Sequence, residues 1–197
     1  MGEGKEGCSD LNDLEPYGDQ VHLHILITII TQIQSMILEK LARYQLWADD
    51  IARGLVGDLN DEEFSKEILP PFGSIRSLCA HITIAIEFNL KYHVEKAEFD
   101  PEELGEEIHT APKGRLLEMW READTRLLEF AKTGGDGTYV FRNFLGEGQI
   151  PLDRDDYLSQ YILHTQHHRA QIMSALRLME KEAKTADYLF YLSDIQG

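Results

Sequence analysis

The stretch DRDDYLSQYILHTQHHRAQIMSALRLMEKE, residues 153–182, decides the fold of this chain. At 100° per residue, one face of a helix collects Leu158, Tyr161, Thr165 and Ile172. The first aspartate stands where an N-cap is wanted, the first turn is acidic and the last turns are basic, as the helix dipole favours. The pattern predicts a long helix that packs one face against a core.

Three more long helices are predicted upstream of this stretch. The first runs from about Gln20 to Leu55, the second follows the N-cap residue Ser74, and the third covers residues 113–132 and ends at two glycines. An acidic loop of about 17 residues is expected between the second and third helices. Residues 138–150 alternate aromatic and β-branched positions, which predicts a short hairpin or an ordered loop. The elements together indicate an all-α helical bundle.

Histidines are the residues most able to carry chemistry here. His164 and His168 lie four residues apart, on the inward face of the last long helix and at its edge, while His167 points outward. The same angles on the second helix turn His81 inward. The residues with which His81 aligns are Leu78, Ala85, Phe88 and Tyr92. Three imidazoles from two helices could therefore meet across the core.

Three neutral imidazoles can hold one divalent metal ion and leave coordination positions open for water or substrate. Nickel, zinc, iron and manganese all accept such ligands, so the spacing does not select among them. A histidine pair at this spacing also arises by chance, and a single inward histidine is more often a hydrogen-bonded core residue. From spacing alone, both interpretations stay open.

Several segments resemble the DinB-like superfamily of four-helix metal proteins, which includes the YfiT-type thiol-dependent transferases. The resemblance rests on GSIRSLCAHI at 73–82, HTQHHRAQI at 164–172, YQLWAD at 44–49 and DYLFYL at 187–192. It covers roughly residues 38–192. It implies a four-helix bundle of up-down-down-up type with an N-terminal helical extension. In that family the metal is held by one histidine of the second helix and an HxxxH pair of the fourth.

The family pattern falls on His81, His164 and His168, the three residues that the helical angles select. The resemblance implies a metal-dependent transferase in which a low-molecular-weight thiol is the co-substrate and a small electrophile is attacked. It also leaves open a thiol-dependent isomerase. The contrasting hypothesis is a non-enzymatic metal-binding stress-response protein, whose site would be closed by a fourth protein ligand.

Four other residues are candidates for substrate binding or for orienting a ligand. Arg169 falls within the apolar arc and needs an acidic partner, either in the protein or on a substrate. Gln171 lies beside His164 by angle and is a candidate to orient a ligand ring. Tyr44 and Trp47 face the bundle, where they either pack in the core or line a pocket. Cys79 turns away from His81 and is expected to be an inert buried thiol.

Composition narrows the classes of partner. The chain has 197 residues, of which 43% are hydrophobic and 27% charged, the balance of one folded domain. We expect a flexible acidic tail over residues 1–19 and one helical domain over residues 20–197. The net charge of −16 argues against nucleic acid and anionic membrane surfaces as partners. Two cysteines without a disulfide or metal pattern favour the cytoplasm.

One uncharged segment, QVHLHILITIITQIQSMIL at residues 20–38, is long enough to suggest a membrane span. It contains two histidines, two threonines, three glutamines and a serine, so a buried helix or a subunit interface is favoured. Because such a helix exposes more apolar surface than a monomer usually leaves in water, we expect a homodimer packed partly through residues 21–38.

Overall fold

The computed structural model describes residues 17–68, 70, 73–133, 137–142 and 147–196, leaving out the side chains of 17–21 and 142. Seven α-helices, a π-helical turn and a two-stranded antiparallel sheet lie within these residues. The elements are α1 (Tyr17–Gly57), α2 (Asp61–Ser65), α3 (Ile75–Asn89), a π-helical turn (Leu90–Val94), α4 (Pro101–Thr110), α5 (Lys113–Thr133), β1 (Tyr139–Arg142), β2 (Gln149–Leu152), α6 (Arg154–Leu178) and α7 (Tyr188–Asp194). The prediction of an all-α fold with a short hairpin is confirmed.

Helices α3 and α5 run parallel to each other. Near their starts, Arg76 donates to the carbonyl of Ala111 at 2.8 Å, and further along both helices Arg126 donates to Glu87. Two parallel helices need a connection that returns along the bundle, and α4 lies in that connection. Helices α3 and α5 are therefore the two successive down helices of the up-down-down-up order.

Helices α1 and α6 are the first and last helices of that order, and both run up. Asp49 pairs with Arg169, and further along the chain Glu63 pairs with Lys181, so the two segments advance in the same direction. Helix α5 opposes α1, because Lys113 at its start donates to the carbonyl of Gly57 at the end of α1. The predicted four-helix bundle of up-down-down-up type is confirmed.

Buried apolar side chains of the long helices form the main core of the bundle. Helix α3 lies against both α5 and α6. Leu78, Ile82, Trp120 and Leu158 are among the side chains with no exposed surface. Burying a side chain of this size contributes about 1.5–3 kcal/mol. Helices α3 and α6, which carry the three histidines predicted as ligands, are therefore fixed against each other by packing.

Two short helices lie where the sequence predicts irregular chain. Helix α4 replaces most of the predicted acidic loop: Asp100 accepts hydrogen bonds from the backbone of Glu102 and Glu103, and Pro101 occupies the first helical position. Helix α2 lies between the first and second predicted helices, where Asn60 forms a capping box. The loop prediction was wrong, because the acidic residues supply the cap of α4 and its first turn.

The boundaries of the last long helix follow its cap. Asp153 accepts a hydrogen bond from the backbone N–H of Asp156 at 2.8 Å, as predicted. Before it, Tyr139 pairs with Leu152 in the antiparallel hairpin. The C-terminal segment DYLFYL at 187–192 supplies the cap and the first residues of α7, in which Tyr191 is buried.

The chain divides at Gln34 into two units, one up to Gln34 and the other Ser35–Gly197. In the first unit, α1 begins at Tyr17, slightly before the predicted start; the rest of the predicted tail lies outside the described residues. The side chains of 22–34 are exposed, so this part of α1 is not buried within the chain. By length and composition alone, α1 is also the one described helix that could cross a membrane.

Candidate metal centre

Three histidines of α3 and α6 bring their Nε2 atoms together. The Nε2 atom of His164 lies 3.2 Å from that of His81 and 3.1 Å from that of His168. Two imidazoles bound to one zinc ion at about 2.0–2.1 Å in tetrahedral geometry have their nitrogens about 3.4 Å apart. The observed separations are close to that value. The donor set therefore fits a single divalent ion, and within the described residues it consists of these three ligands.

Helix geometry explains why the rings converge. His164 and His168 stand one turn apart on α6, and their ring centroids are 4.4 Å apart. His81 approaches from α3, with its ring edge-on to His168 at 4.5 Å between centroids. His167 lies on the same helix but is exposed and outside the group. The structure thus brings together the three histidines that were predicted as ligands.

Burial keeps these imidazoles neutral. Removal from water, followed by the nearby His168 and His81, lowers the pKa of His164 to about 4. Burial also lowers the pKa of His81 and of His168, although in His168 the hydrogen bond that its ring donates to Gln171 opposes this effect. A neutral imidazole is the form that binds a metal ion. The site is therefore prepared for metal at neutral pH.

Gln171 orients one ligand, but not the one that its helical angle suggests. His168 donates from Nδ1 to Oε1 of Gln171 across 2.6 Å, which leaves the lone pair of His168 Nε2 facing the centre. The other end of the amide lies 3.3 Å from Nε2 of His167. Gln171 therefore contacts a ligand ring, as the sequence suggested, but the ring is that of His168, three residues before it on α6.

Arg169 has its acidic partner within the protein. Its guanidinium donates to Asp49 at 2.5 Å, and both side chains are almost fully buried. Next to them, Arg53 donates to Asp124 at 2.5 Å. Burial, followed by repulsion from Asp49, raises the pKa of Asp124 to about 8, against the lowering effect of Arg53. We call these four residues the Arg–Asp cluster.

Tyr44 and Trp47 pack against the C-terminal segment. The hydroxyl of Tyr44 donates to the carbonyl of Ala186 at 2.7 Å, and the indole of Trp47 donates to Asp194 at 3.0 Å. Tyr191 packs against both rings. Tyr44 and Arg169 also line a cavity of about 530 Å³. The main contacts of Tyr44 and Trp47 hold the C-terminal segment against α1. The predicted role of these two residues in substrate binding stays a prediction.

Cys79 is fully buried in the core, and burial raises the pKa of its thiol. A thiol that resists ionisation is a poor nucleophile. This agrees with the expectation of an inert side chain.

Sequence reasoning missed two tyrosines beside the histidines. Tyr157 and Tyr161 are 1% and 2% exposed, and among the described residues neither hydroxyl has a hydrogen-bond partner. Tyr161 precedes His164 by three residues on α6. Burial raises the pKa of both hydroxyls, which keeps them as proton donors. Their inward position could have been read from the helical angles, but the lack of a partner could not.

A cavity of about 660 Å³ lies further along α3. Phe88, Asn89 and Tyr92 form one wall, and the hairpin forms the other. The full lining comprises Phe88, Asn89, Tyr92, His93, Val140, Phe141, Gly148 and Gln149. Phe88 stands two turns after His81 on the same face, about 10 Å along the helix. The volume is within the usual range for small-molecule sites, about 300–1,000 Å³.

Comparison with known proteins places this geometry in a family. The model of the DinB family matches residues 32–196. A structure from Exiguobacterium sibiricum 255-15, proposed as a DinB family member, has a TM-score of 0.57 at 14% identity, covering 77% of this chain and 95% of its own. A DinB-like protein from Bacillus cereus ATCC 10987 has a TM-score of 0.51 at 20% identity, covering 70% and 89%.

A third solved structure is more distant. YfiT from Bacillus subtilis, described as a proposed metal-dependent hydrolase with an unusual four-helix bundle topology, has a TM-score of 0.48 at 18% identity, covering 77% of this chain and 88% of its own. No curated protein matches the sequence. The first two structures support the fold.

Proposed function

The chain belongs to the DinB family, and from this premise we propose that it is a metal-dependent transferase that joins a low-molecular-weight thiol to a small electrophile. The observation that carries the proposal is the convergence of three Nε2 atoms. The Nε2 atom of His164 lies within 3.2 Å of the Nε2 atoms of His81 and His168. Three ligands leave room at the ion for a further group, which a site closed by four protein ligands would not.

A bound divalent ion supplies the positive charge that makes a coordinated thiol lose its proton at neutral pH. The chain's own residues prepare for this. His81, His164 and His168 offer neutral nitrogens because burial lowers each pKa. Gln171 fixes the ring of His168 by accepting from Nδ1. The three histidines would hold a divalent ion, and Gln171 would keep the ring of His168 oriented toward it.

The cavity between α3 and the hairpin is suited to the electrophile. Its aromatic lining by Phe88, Tyr92 and Phe141 favours a ligand with an apolar body. The rings of Phe88 and Tyr92 are stacked at 5.7 Å between centroids. Because this cavity begins two turns from His81, a molecule about 10 Å long could reach from it to the histidines.

The apolar lining of this cavity decides the proposed substrate class. Tyr157 and Tyr161 of α6 do not line the cavity, and their hydroxyls are buried within the protein. The proposed substrate class is therefore an electrophile with an apolar body.

The decisive experiment combines elemental analysis of the purified protein with a conjugation assay. Metal-loaded protein is incubated with chlorodinitrobenzene as the electrophile. Each reaction also contains one low-molecular-weight thiol, such as glutathione or cysteine. We expect product with at least one thiol and none with His164→Ala. His167→Ala is the matched control and should retain activity. Such a reaction belongs in the cytosol, where small thiols are kept reduced.

The outcome also separates the alternatives. Stoichiometric metal without conjugation of any thiol would contradict the transferase and favour the non-enzymatic metal-binding protein. Rearrangement of a substrate that needs thiol but does not consume it would identify the isomerase.

A further inference from the structure

The largest group of exposed apolar side chains in the described residues lies on the first part of α1. Residues 22–37 include nine large aliphatic side chains, each 45–71% exposed. They are Leu23, Ile25, Leu26, Ile27, Ile29, Ile30, Ile33, Met36 and Ile37. No residue from 20 to 38 carries a formal charge. A surface of this kind usually marks an interaction site.

Five of these side chains form a regular seam. Leu23, Leu26, Ile30, Ile33 and Ile37 follow one another at spacings of 3, 4, 3 and 4 residues. That alternation is the heptad pattern by which one helix packs against another. At 100° per residue the five side chains fall within about 80° of arc. We call this set the aliphatic seam.

The opposite side of the same helix is polar without being charged. His24, Thr28, Thr31 and Ser35 follow each other at helical spacing, roughly opposite the aliphatic seam. The hydroxyl of Thr28 donates to the carbonyl of His24 at 2.9 Å, and that of Thr31 donates to Ile27 at 3.0 Å. The polar stripe can therefore face water while the seam faces a partner.

We propose that the aliphatic seam binds the same seam of other copies of this chain, so that the protein is a homo-oligomer held by a bundle of α1 helices. The family model begins at residue 32, so most of the seam is an addition of this chain to the family fold. A net charge of −16 makes two copies repel each other, and the uncharged segment is where that repulsion is weakest.

The exposed area is large enough for such an assembly. The aliphatic seam and the four other large apolar side chains of residues 22–37, each about half exposed, together offer on the order of 800 Å², which is what one partner buries in a standard interface. A bilayer fits less well. A span needs about 20 mostly apolar residues, whereas residues 22–37 contain seven polar ones, four of them on one stripe.

Light scattering of the full chain after size exclusion tests the proposal at micromolar concentration. We expect the wild type at twice 22.6 kDa or more. Ile30→Asp places a carboxylate in the seam and should reduce the mass to that of the monomer. Thr28→Asp adds the same charge to the polar stripe and should leave the oligomer intact. Circular dichroism and metal content verify that both variants are folded.

Three results would overturn the proposal. The first is a monomeric wild type, and the second is an equal loss of mass in Ile30→Asp and Thr28→Asp. The third comes from flotation with neutral phosphatidylcholine vesicles. A wild type that floats with the vesicles and is monomeric without them would assign the segment to the lipid bilayer instead. None of these readouts depends on thiol transfer.

Discussion

Two polar groups of residues lie on different sides of α6, and they solve the problem of burial in different ways. The Arg–Asp cluster pairs each buried cation with a carboxylate at 2.5 Å. The histidine group instead turns three nitrogens toward one point. Buried charges are stable only when they are paired and hydrogen-bonded. The groups of the Arg–Asp cluster find their hydrogen-bond partners within the protein, whereas the three nitrogens of the histidine group converge on a position suited to an added cation.

Protonation distinguishes the two groups further. Arg169 keeps its charge because Asp49 offsets the effect of burial. Each effect that acts on the pKa of His164 lowers it, so the ring stays neutral. The Arg–Asp cluster links helices through hydrogen-bonded guanidinium and carboxyl groups, whereas the histidine group offers neutral nitrogens to a ligand. The following predictions test this division, from the largest expected effect to the smallest.

Removal of a ligand should have the largest effect. We expect His164→Ala or His168→Ala to abolish stoichiometric metal binding, because two imidazoles remain where three converge. His167→Ala serves as control, since that ring is exposed and outside the group. Elemental analysis after dialysis measures the metal content. Equal loss in all three variants would contradict the assignment of ligands.

Breaking the Arg–Asp cluster should affect stability and not metal stoichiometry. Asp49→Ala leaves the guanidinium of Arg169 buried without its partner, and we expect a loss of about 3–5 kcal/mol in the free energy of unfolding. The double variant Asp49→Ala with Arg169→Met should recover part of this loss, because no unpaired charge remains. Urea denaturation of the metal-free protein measures both. A loss below about 1 kcal/mol in Asp49→Ala would show that the pair is dispensable.

Gln171 links the histidine group to its surroundings. Gln171→Ala removes the acceptor for Nδ1 of His168 and should lower metal affinity by about 10–100-fold. Gln166→Ala, on an exposed position of α6, is the matched control. Competition with a chelator gives both dissociation constants. If the two variants bind equally, the hydrogen bond does not orient the ligand.

The smallest effect concerns pH. Three ordinary imidazoles with a pKa of 6.5 would lose about sixfold in metal affinity between pH 7.5 and 6.5. Because burial lowers the pKa of His81, His164 and His168, we expect a smaller loss over that range and a steep one at lower pH. A chelator titration at several pH values measures it. A sixfold loss by pH 6.5 would contradict the lowered pKa values.

The same shifts affect the folded state of the metal-free protein. Below pH 6.5 the unfolded chain binds protons that the buried rings resist, down to about pH 4 for His164. Stability is therefore full above pH 6.5 and is lost as the pH falls through this window. Circular dichroism at each pH separates loss of metal from loss of fold.

Much of the fold could be predicted because its signals are local. The caps at Ser74 and Asp153 and the glycines after α5 set the helix boundaries within a few residues. The helical angles of His81, His164 and His168 required only a period of 3.6 residues. The loop in place of α4 was predicted wrongly from composition, although Asp100 and Pro101 carry a start signal.

The sequence by itself determined which residues face inward, because the facing of a side chain depends on its own helix alone. It also determined that Arg169 needs a counter-charge, since an unpaired guanidinium cannot be buried. Only the tertiary structure decided that Asp49 supplies it, that Gln171 serves His168, and that the hydroxyls of Tyr157 and Tyr161 lack described partners. Contacts between helices depend on how the bundle packs, and no local period encodes that.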